Sequence, residues 1–240
     1  MFVTDDVHGT LEYGRIACNL AKIAQNERQG GDERTPLLVA GDFGLLWKRE
    51  PDSAEMSALD QLEALARDTL FIDGNPENFD KLDALHTKFR WGANVGMVRK
   101  NIFHLRSGRI CEIAGRSVWC FGGAFSIDRK YRRLGESWWE WEIPSQEEMK
   151  LGEKALEARE WRVDLVLTHT APKSVYAFLC GERFKDPVAE WLEEIAKKMQ
   201  TRLWIFGHLH NDDGEYLPRE PFQEIFPGVD RFLSVCRNVR

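Results

Sequence analysis

Long apolar runs are missing from these 240 residues. No stretch approaches the roughly 20 apolar residues that span a bilayer as a helix, which excludes membrane-spanning helices. Residues Met1 to Asp6 carry neither the basic region nor the apolar stretch of a secretory signal. Cysteine is scarce and odd in number: Cys18, Cys111, Cys120, Cys180 and Cys236 include no Cys-x-x-Cys pair. That argues against a disulfide framework and for reduced thiols packed in a cytoplasmic protein. No internal repeat and no linker-like stretch is visible, so residues 1–240 are expected to form one domain, large enough to bury a core without staples. Excess positive charge is also lacking. The net charge of −6 argues against a general nucleic-acid binder, which needs a basic face to displace counterions.

What charge there is lies unevenly. Between Arg99 and Arg133 nine Lys or Arg face only two acids, Glu112 and Asp128. A basic block inside an acidic chain points to a local anion site rather than a sticky surface. Hydrophobic residues at 43% and charged residues at 30% are ordinary for a folded soluble domain.

Periodicity and capping signals set out the elements. Phe2–Thr4, Pro36–Ala40, Thr69–Ile72, Asp164–Thr168 and Leu203–Phe206 read as short buried strands, and Phe232–Arg237 as a last one. Helical spacing covers 11–28, Asp52–Arg67, Asn78–Lys88, Ser145–Trp161 and Asp186–Met199. Asp52 with Glu55, and Ser145 with Glu148, are capping-box patterns. Arg99 to Phe125 alternates and carries turn signals at Ser107-Gly108 and Ala114-Gly115, so it reads as strands and hairpins. The first half asks for parallel strands with crossover helices, the second for a mixed sheet. Two facing mixed β-sheets flanked by helices, an α/β fold in four layers, satisfies both. Segment 92–144 is expected to be an insertion on the substrate side.

Five polar fragments share one place in this scheme, just after a strand: Asp6-Val7-His8, Gly41-Asp42, Gly74-Asn75, Thr168-His169 and Gly207-His208-Leu209-His210. The carboxyl ends of such strands converge on a ligand crevice. Carboxylate, imidazole and amide oxygen suit Mn, Fe, Zn or Mg. In Asp-x-His and His-x-His the alternate side chains of an extended segment point the same way and can reach one cluster. Singly each fragment has a plainer use. Asp42 could cap a helix, Asn75 could hold a turn and His169 could be packed in the core. His86 and His104 sit in no such pattern and read as ordinary residues.

The ordered set resembles the calcineurin-like metallophosphoesterases, whose pattern is Asp-x-His, Gly-Asp, Gly-Asn-His-Asp/Glu, a lone His and Gly-His-x-His. The resemblance runs from Asp6 to His210. Segments 41–47, 74–80, 121–128, 137–139 and 168–172 are similar to a bacterial branch of that superfamily. It implies hydrolysis of phosphoesters, as a phosphatase or phosphodiesterase, by a hydroxide bridging two divalent metals, with Mn foremost and Fe, Zn, Ni or Mg as alternatives. It implies Asp6, His8 and His210 at the first metal, Asn75, His169 and His208 at the second, and Asp42 bridging, with Asp42 and His208 also in the catalytic machinery. The substrate would be a small molecule, nucleotide or phosphoprotein.

One position departs from the pattern. Pro76 stands where the family has a histidine that helps the leaving group depart, and proline transfers no proton. This tilts the expectation toward phosphodiesters or activated esters. In the basic block, Arg132 is the candidate for gripping a substrate phosphate, since guanidinium forks match phosphate oxygens. A solvated loop is its plainer reading. Trp138, Trp139 and Trp141 could stack on a base or pack the loop. A nuclease of the same superfamily, and a non-catalytic scaffold weakened at Pro76, are the competing readings.

Overall fold

Strands in which every residue is buried need apolar surface on both sides, and the packing shows where it goes. The computed structural model describes residues 2–4, 7, 35–65, 67–181, 185–209 and 215–235, so the helix expected over 11–28 lies outside the described residues. Leu37 and Val39 enter one apolar cluster, while Leu38 and Ala40 enter another. Phe71 splits from Leu70 and Ile72 in the same way. Successive strand residues face opposite sides, so each short strand fills two cores at once.

Among the described residues the strands form two six-stranded sheets. The first holds β1 (Phe2–Thr4), β2 (Leu37–Val39), β3 (Thr69–Phe71), β4 (His86–Arg90), β5 (Ala93–Arg99) and β6 (Ile102–His104), in the order β1-β2-β3-β6-β5-β4. β1, β2, β3 and β6 run parallel, and β5 and β4 continue antiparallel. The second holds β7 (Arg109–Ile113), β8 (Arg116–Phe121), β9 (Leu165–Thr168), β10 (Leu203–Phe206), β11 (Glu215–Tyr216) and β12 (Phe232–Ser234), in the order β11-β12-β10-β9-β8-β7. Its four central strands are parallel and its two edges antiparallel.

Cys111, Val118, Leu165, Leu167 and Ile205 meet Leu38, Leu70, Val95 and Phe103 between the sheets. Helices α1 (Ser53–Glu63) and α2 (Phe79–Asp83) cover the outer face of the first sheet through Leu59, Leu62, Phe79 and Leu82. Helices α3 (Gln146–Glu157), α4 (Lys173–Cys180) and α5 (Pro187–Lys198) cover the outer face of the second through Leu156, Val175, Val188, Leu192 and Ile195. The result is a four-layer α/β/β/α sandwich of two mixed sheets. Cys111 and Cys120 are free thiols inside it. No described helix is long and apolar enough to cross a membrane.

Both capping boxes are present, Asp52 with Glu55 at α1 and Ser145 with Glu148 at α3. The helices stop earlier than their spacing suggested, at Glu63 and Glu157. The helix expected over 78–88 is α2 alone, because His86–Arg90 pairs with β5 instead. Trp91 and Gly92, both left-handed at φ 53 and 78°, close that hairpin in the geometry that matches strand twist. Spacing also missed α4, entered at Pro172 and closed at Gly181 with φ 73°, and the two-residue edge strand β11. Segment 92–144 divides in two: 93–121 is mostly strand within the sheets, and 122–144 is a loop with 3-10 turns at Arg129–Tyr131 and Glu140–Glu142.

Strand register brings the strand ends level. Val39, Phe71 and His104 are partners across β2, β3 and β6, and Phe121, Thr168, Phe206 and Ser234 across β8, β9, β10 and β12. Parallel strands that end in step release their next residues side by side.

Candidate metal centre

Asp42, Asn75, His169 and His208 all leave these strand ends. The chain turns sharply after β2, with Gly41 at φ 110° and Asp42 left-handed at φ 49°. A side chain on Gly41 would place its Cβ 2.2 Å from His169 Nδ1, and one on Gly74 would place its Cβ 1.8 Å from Asp42 Oδ1. Both glycines are therefore demanded by close approach, not by turn flexibility alone. His208 is also left-handed, at φ 68°. Such backbone costs about 1 kcal/mol or more for a residue with a Cβ and clusters at functional sites.

The polar atoms converge in an unusual way. His169 is fully buried, and its Nδ1 lies 2.8 Å from the carbonyl of Ala40. A carbonyl only accepts, so Nδ1 carries the proton and donates it. Its other nitrogen, Nε2, lies 3.0 Å from Asn75 Oδ1 and 3.2 Å from Asp42 Oδ1. In the neutral ring Nε2 is a lone pair facing two more lone pairs. Three acceptors meeting at one point need a cation between them, either a proton on the ring or a metal. The donor set of imidazole, amide oxygen and carboxylate suits a divalent metal of the Mn, Fe, Zn type. A ligating histidine usually has its far N–H pinned in this manner by a carbonyl. The His208 ring packs edge-on against His169 with centroids 4.9 Å apart. Among the described residues no three His, Cys, Asp or Glu side chains come together in metal-binding geometry. Asp6, His8 and His210 lie outside the described residues.

Other buried groups hold this arrangement. The Asn75 N–H donates to Asp42 Oδ1 at 3.1 Å, and its side-chain Nδ2 donates to Ser126 Oγ at 2.9 Å. Glu77, 1% exposed, accepts from the Phe43 N–H at 2.7 Å and the Gly44 N–H at 3.4 Å, clamping the loop that carries Asp42. Burial, with the nearby charges of Asp42 and then Asp73, pushes its carboxyl up to about 8. At the ends of β3 and β6, Asp73 Oδ1 lies 2.9 Å from His104 Nε2, and both side chains are buried.

Sequence reading missed Glu77, Ser126 and the Asp73–His104 pair. Glu77 had a signal, as the acid closing Gly74-Asn75-Pro76-Glu77. His104, taken as ordinary, is a buried partner for Asp73; His86, taken likewise, is exposed on β4.

The basic block is less free than its composition suggested. Arg132 Nε pairs with Asp128 Oδ1 at 2.9 Å, Arg133 with Glu136 at 3.6 Å, Arg106 with Asp83 at 4.0 Å, and Arg99 with Asp60 and Glu63 at 3.7 and 3.8 Å. Arg99, Arg106, Arg132 and Arg133 are thus met by acids that lie nearby in sequence or across the fold. Trp139 is packed, donating from Nε1 to Asp80 at 3.0 Å and lying edge-on to Trp47, whereas Trp141 is exposed.

No family model matches the chain, and no curated protein matches it. Among solved structures, it is similar to the Thermus thermophilus sulfate thiohydrolase SoxB in complex with glycerol, at 12% identity and a TM-score of 0.43. The match covers 96% of this chain and 38% of that one, so the chain spans under two-fifths of the length of the structure it matches.

Proposed function

We propose that this chain is a metal-dependent phosphoester hydrolase. The observation that carries the reading is the meeting of His169 Nε2, Asn75 Oδ1 and Asp42 Oδ1 in a buried place, a donor set that suits a divalent metal. Asn75, His169 and His208 would hold one divalent metal, Asp6, His8 and His210 a second, and Asp42 would serve both. When bound, such metals activate water near neutral pH and neutralise charge on the phosphoryl group. The resemblance in motif order from Asp6 to His210 supports the two-metal form, with Mn foremost.

The chain's own residues have separable tasks. Ala40 fixes the His169 tautomer, Glu77 holds the loop bearing Asp42, and the left-handed backbone at Asp42 and His208 aims both side chains. Arg132 is the phosphate-gripping group: Asp128 holds it at Nε, and its terminal amino groups supply the fork for a phosphate. Pro76 offers no proton to a leaving group, which favours phosphodiesters and activated esters over alkyl monoesters.

The test is hydrolysis of para-nitrophenyl phosphate and bis-para-nitrophenyl phosphate by metal-stripped protein, with Mn²⁺, Zn²⁺, Ni²⁺, Mg²⁺ or none added. Metal-dependent turnover is expected, with the diester favoured. No turnover of either ester while two metals are demonstrably bound would overturn the hydrolase reading and leave a non-catalytic metal-binding scaffold, weakened by the absence of a histidine at Pro76.

A further inference from the structure

Ser126 stands between Asn75 and a carboxylate that no part of the proposed mechanism uses. Asn75 Nδ2 donates to Ser126 Oγ at 2.9 Å, and Ser126 Oγ donates to Glu142 Oε2 at 2.5 Å. The Ser126 N–H donates to the other carboxylate oxygen, Oε1, at 3.0 Å. Glu142 is 0% exposed and Ser126 1%. A carboxylate buried this completely, 67 residues along the chain from Asn75 and on a different loop, is costly unless paired.

The chemistry of the chain fixes its direction. A serine hydroxyl has one proton. An ionised carboxylate only accepts, and here it takes both Ser126 donors. The hydroxyl proton is thereby committed to Glu142, and Ser126 Oγ has only lone pairs left for Asn75. The asparagine must then present its NH₂ to Ser126, which turns its oxygen toward His169 and Asp42. Reversing the amide would set its oxygen against an oxygen with no proton to share and offer NH₂ where a metal needs an oxygen.

From this geometry we infer that Glu142 is a positioning residue for the metal centre, setting the amide orientation of Asn75 through Ser126. Burial raises the Glu142 carboxyl from the ordinary glutamate range, while the Ser126 hydrogen bonds and the nearby charge of Arg132 oppose that rise. Arg132 thus helps keep Glu142 in the form that only accepts. The inference rests on the metal-centre reading above.

Glu142→Gln is the discriminating variant, because it keeps the shape and changes the polarity. Its NH₂ can donate to Ser126 Oγ, free the hydroxyl proton for Asn75 and let the amide turn over. Calorimetric titration of metal-stripped protein with Mn²⁺ alone is the readout. Wild type is expected to take up two Mn²⁺. Glu142→Gln is expected to melt, when metal-free, within a few degrees of wild type and to lose about 10–100-fold in affinity at one site, the scale seen when a group orienting a metal ligand is removed. Ser126→Ala should weaken the same site. In an Asn75→Ala background Glu142→Gln should add nothing, since its effect runs through that amide. Two wild-type affinities in both Glu142→Gln and Ser126→Ala would overturn the inference while leaving the metal centre standing. A wild-type protein that binds no Mn²⁺ would overturn both.

Discussion

Asp42 Oδ1 lies 3.2 Å from His169 Nε2, with the two side chains 2% and 0% exposed. With Nδ1 of that ring committed to the Ala40 carbonyl, the pair is an acceptor facing an acceptor unless a cation joins them. Asp42→Asn removes the charge and keeps the size. It is expected to cut metal-dependent phosphoester turnover by more than about 100-fold, the scale of losing one charge-stabilising group, and to abolish the rise in melting temperature on adding Mn²⁺. Thermal melts of stripped and loaded protein check the second point independently of activity. An Asn variant with full activity removes Asp42 from the centre.

Gly74 sits where a Cβ would lie 1.8 Å from Asp42 Oδ1. Its backbone is not in the left-handed region, so Gly74→Ala adds a methyl without adding backbone strain. The methyl would also lie 2.3 Å from the Asp42 backbone nitrogen, so it must displace the loop bearing Asp42 together with its carboxylate. The variant is expected to be less stable by about 1–3 kcal/mol, the usual cost of overpacking, and to bind Mn²⁺ at least about 10-fold more weakly. Denaturant titration and calorimetry measure the two losses. Wild-type metal affinity in this variant would mean that Asp42 is not where the metal is held.

Asp164 ties β8 to β9 away from the proposed metal centre. Its Oδ2 accepts from the Ser117 N–H and the Ser117 hydroxyl, each at 2.9 Å. These bonds, the backbone one foremost, hold the carboxyl below its ordinary value. A depressed folded value means stability present above the unfolded value of about 3.9 and lost as pH falls through the folded value. Asp164→Asn is expected to cost about 1 kcal/mol at neutral pH, with the gap to wild type closing as pH falls through the depressed folded value. Urea melts across pH decide it; a gap that persists in acid would assign the effect to shape, not charge.

Arg132 is held by Asp128, whose Oδ1 lies 2.9 Å from its Nε. Arg132→Ala is expected to raise KM for phosphoesters about 10-fold or more, with Arg132→Lys recovering charge but not the fork. Steady-state kinetics on the diester separates the two. Unchanged KM would return Arg132 to a purely structural ion pair.

Much of the fold was readable in particular residues. The Asp52–Glu55 and Ser145–Glu148 boxes marked helix starts, because a cap is made within four residues of chain. The β4–β5 hairpin was not readable. His86–Arg90 is mostly exposed, so it lacks an apolar alternation, and only pairing with β5 makes it a strand. The helix α4 was missed although its residues are apolar, since eight residues give too few turns for a clear period.

The sequence by itself determined which residues could meet. Asp42, Asn75, His169 and His208 each follow a short apolar run, and parallel neighbours within a sheet deliver their ends to one edge, β2 with β3 in the first sheet and β9 with β10 in the second. Tertiary structure decided how they meet. The commitment of His169 Nδ1 to Ala40, the hydrogen bond of Asn75 to Ser126, the partner of His104, and the pairing of Arg99 with Asp60 are contacts between distant segments. Periodicity reports the face a residue takes, because that depends on its neighbours in the chain. It carries no record of which donor another loop brings to it, and in this site that donor settles which atom a side chain such as His169 presents.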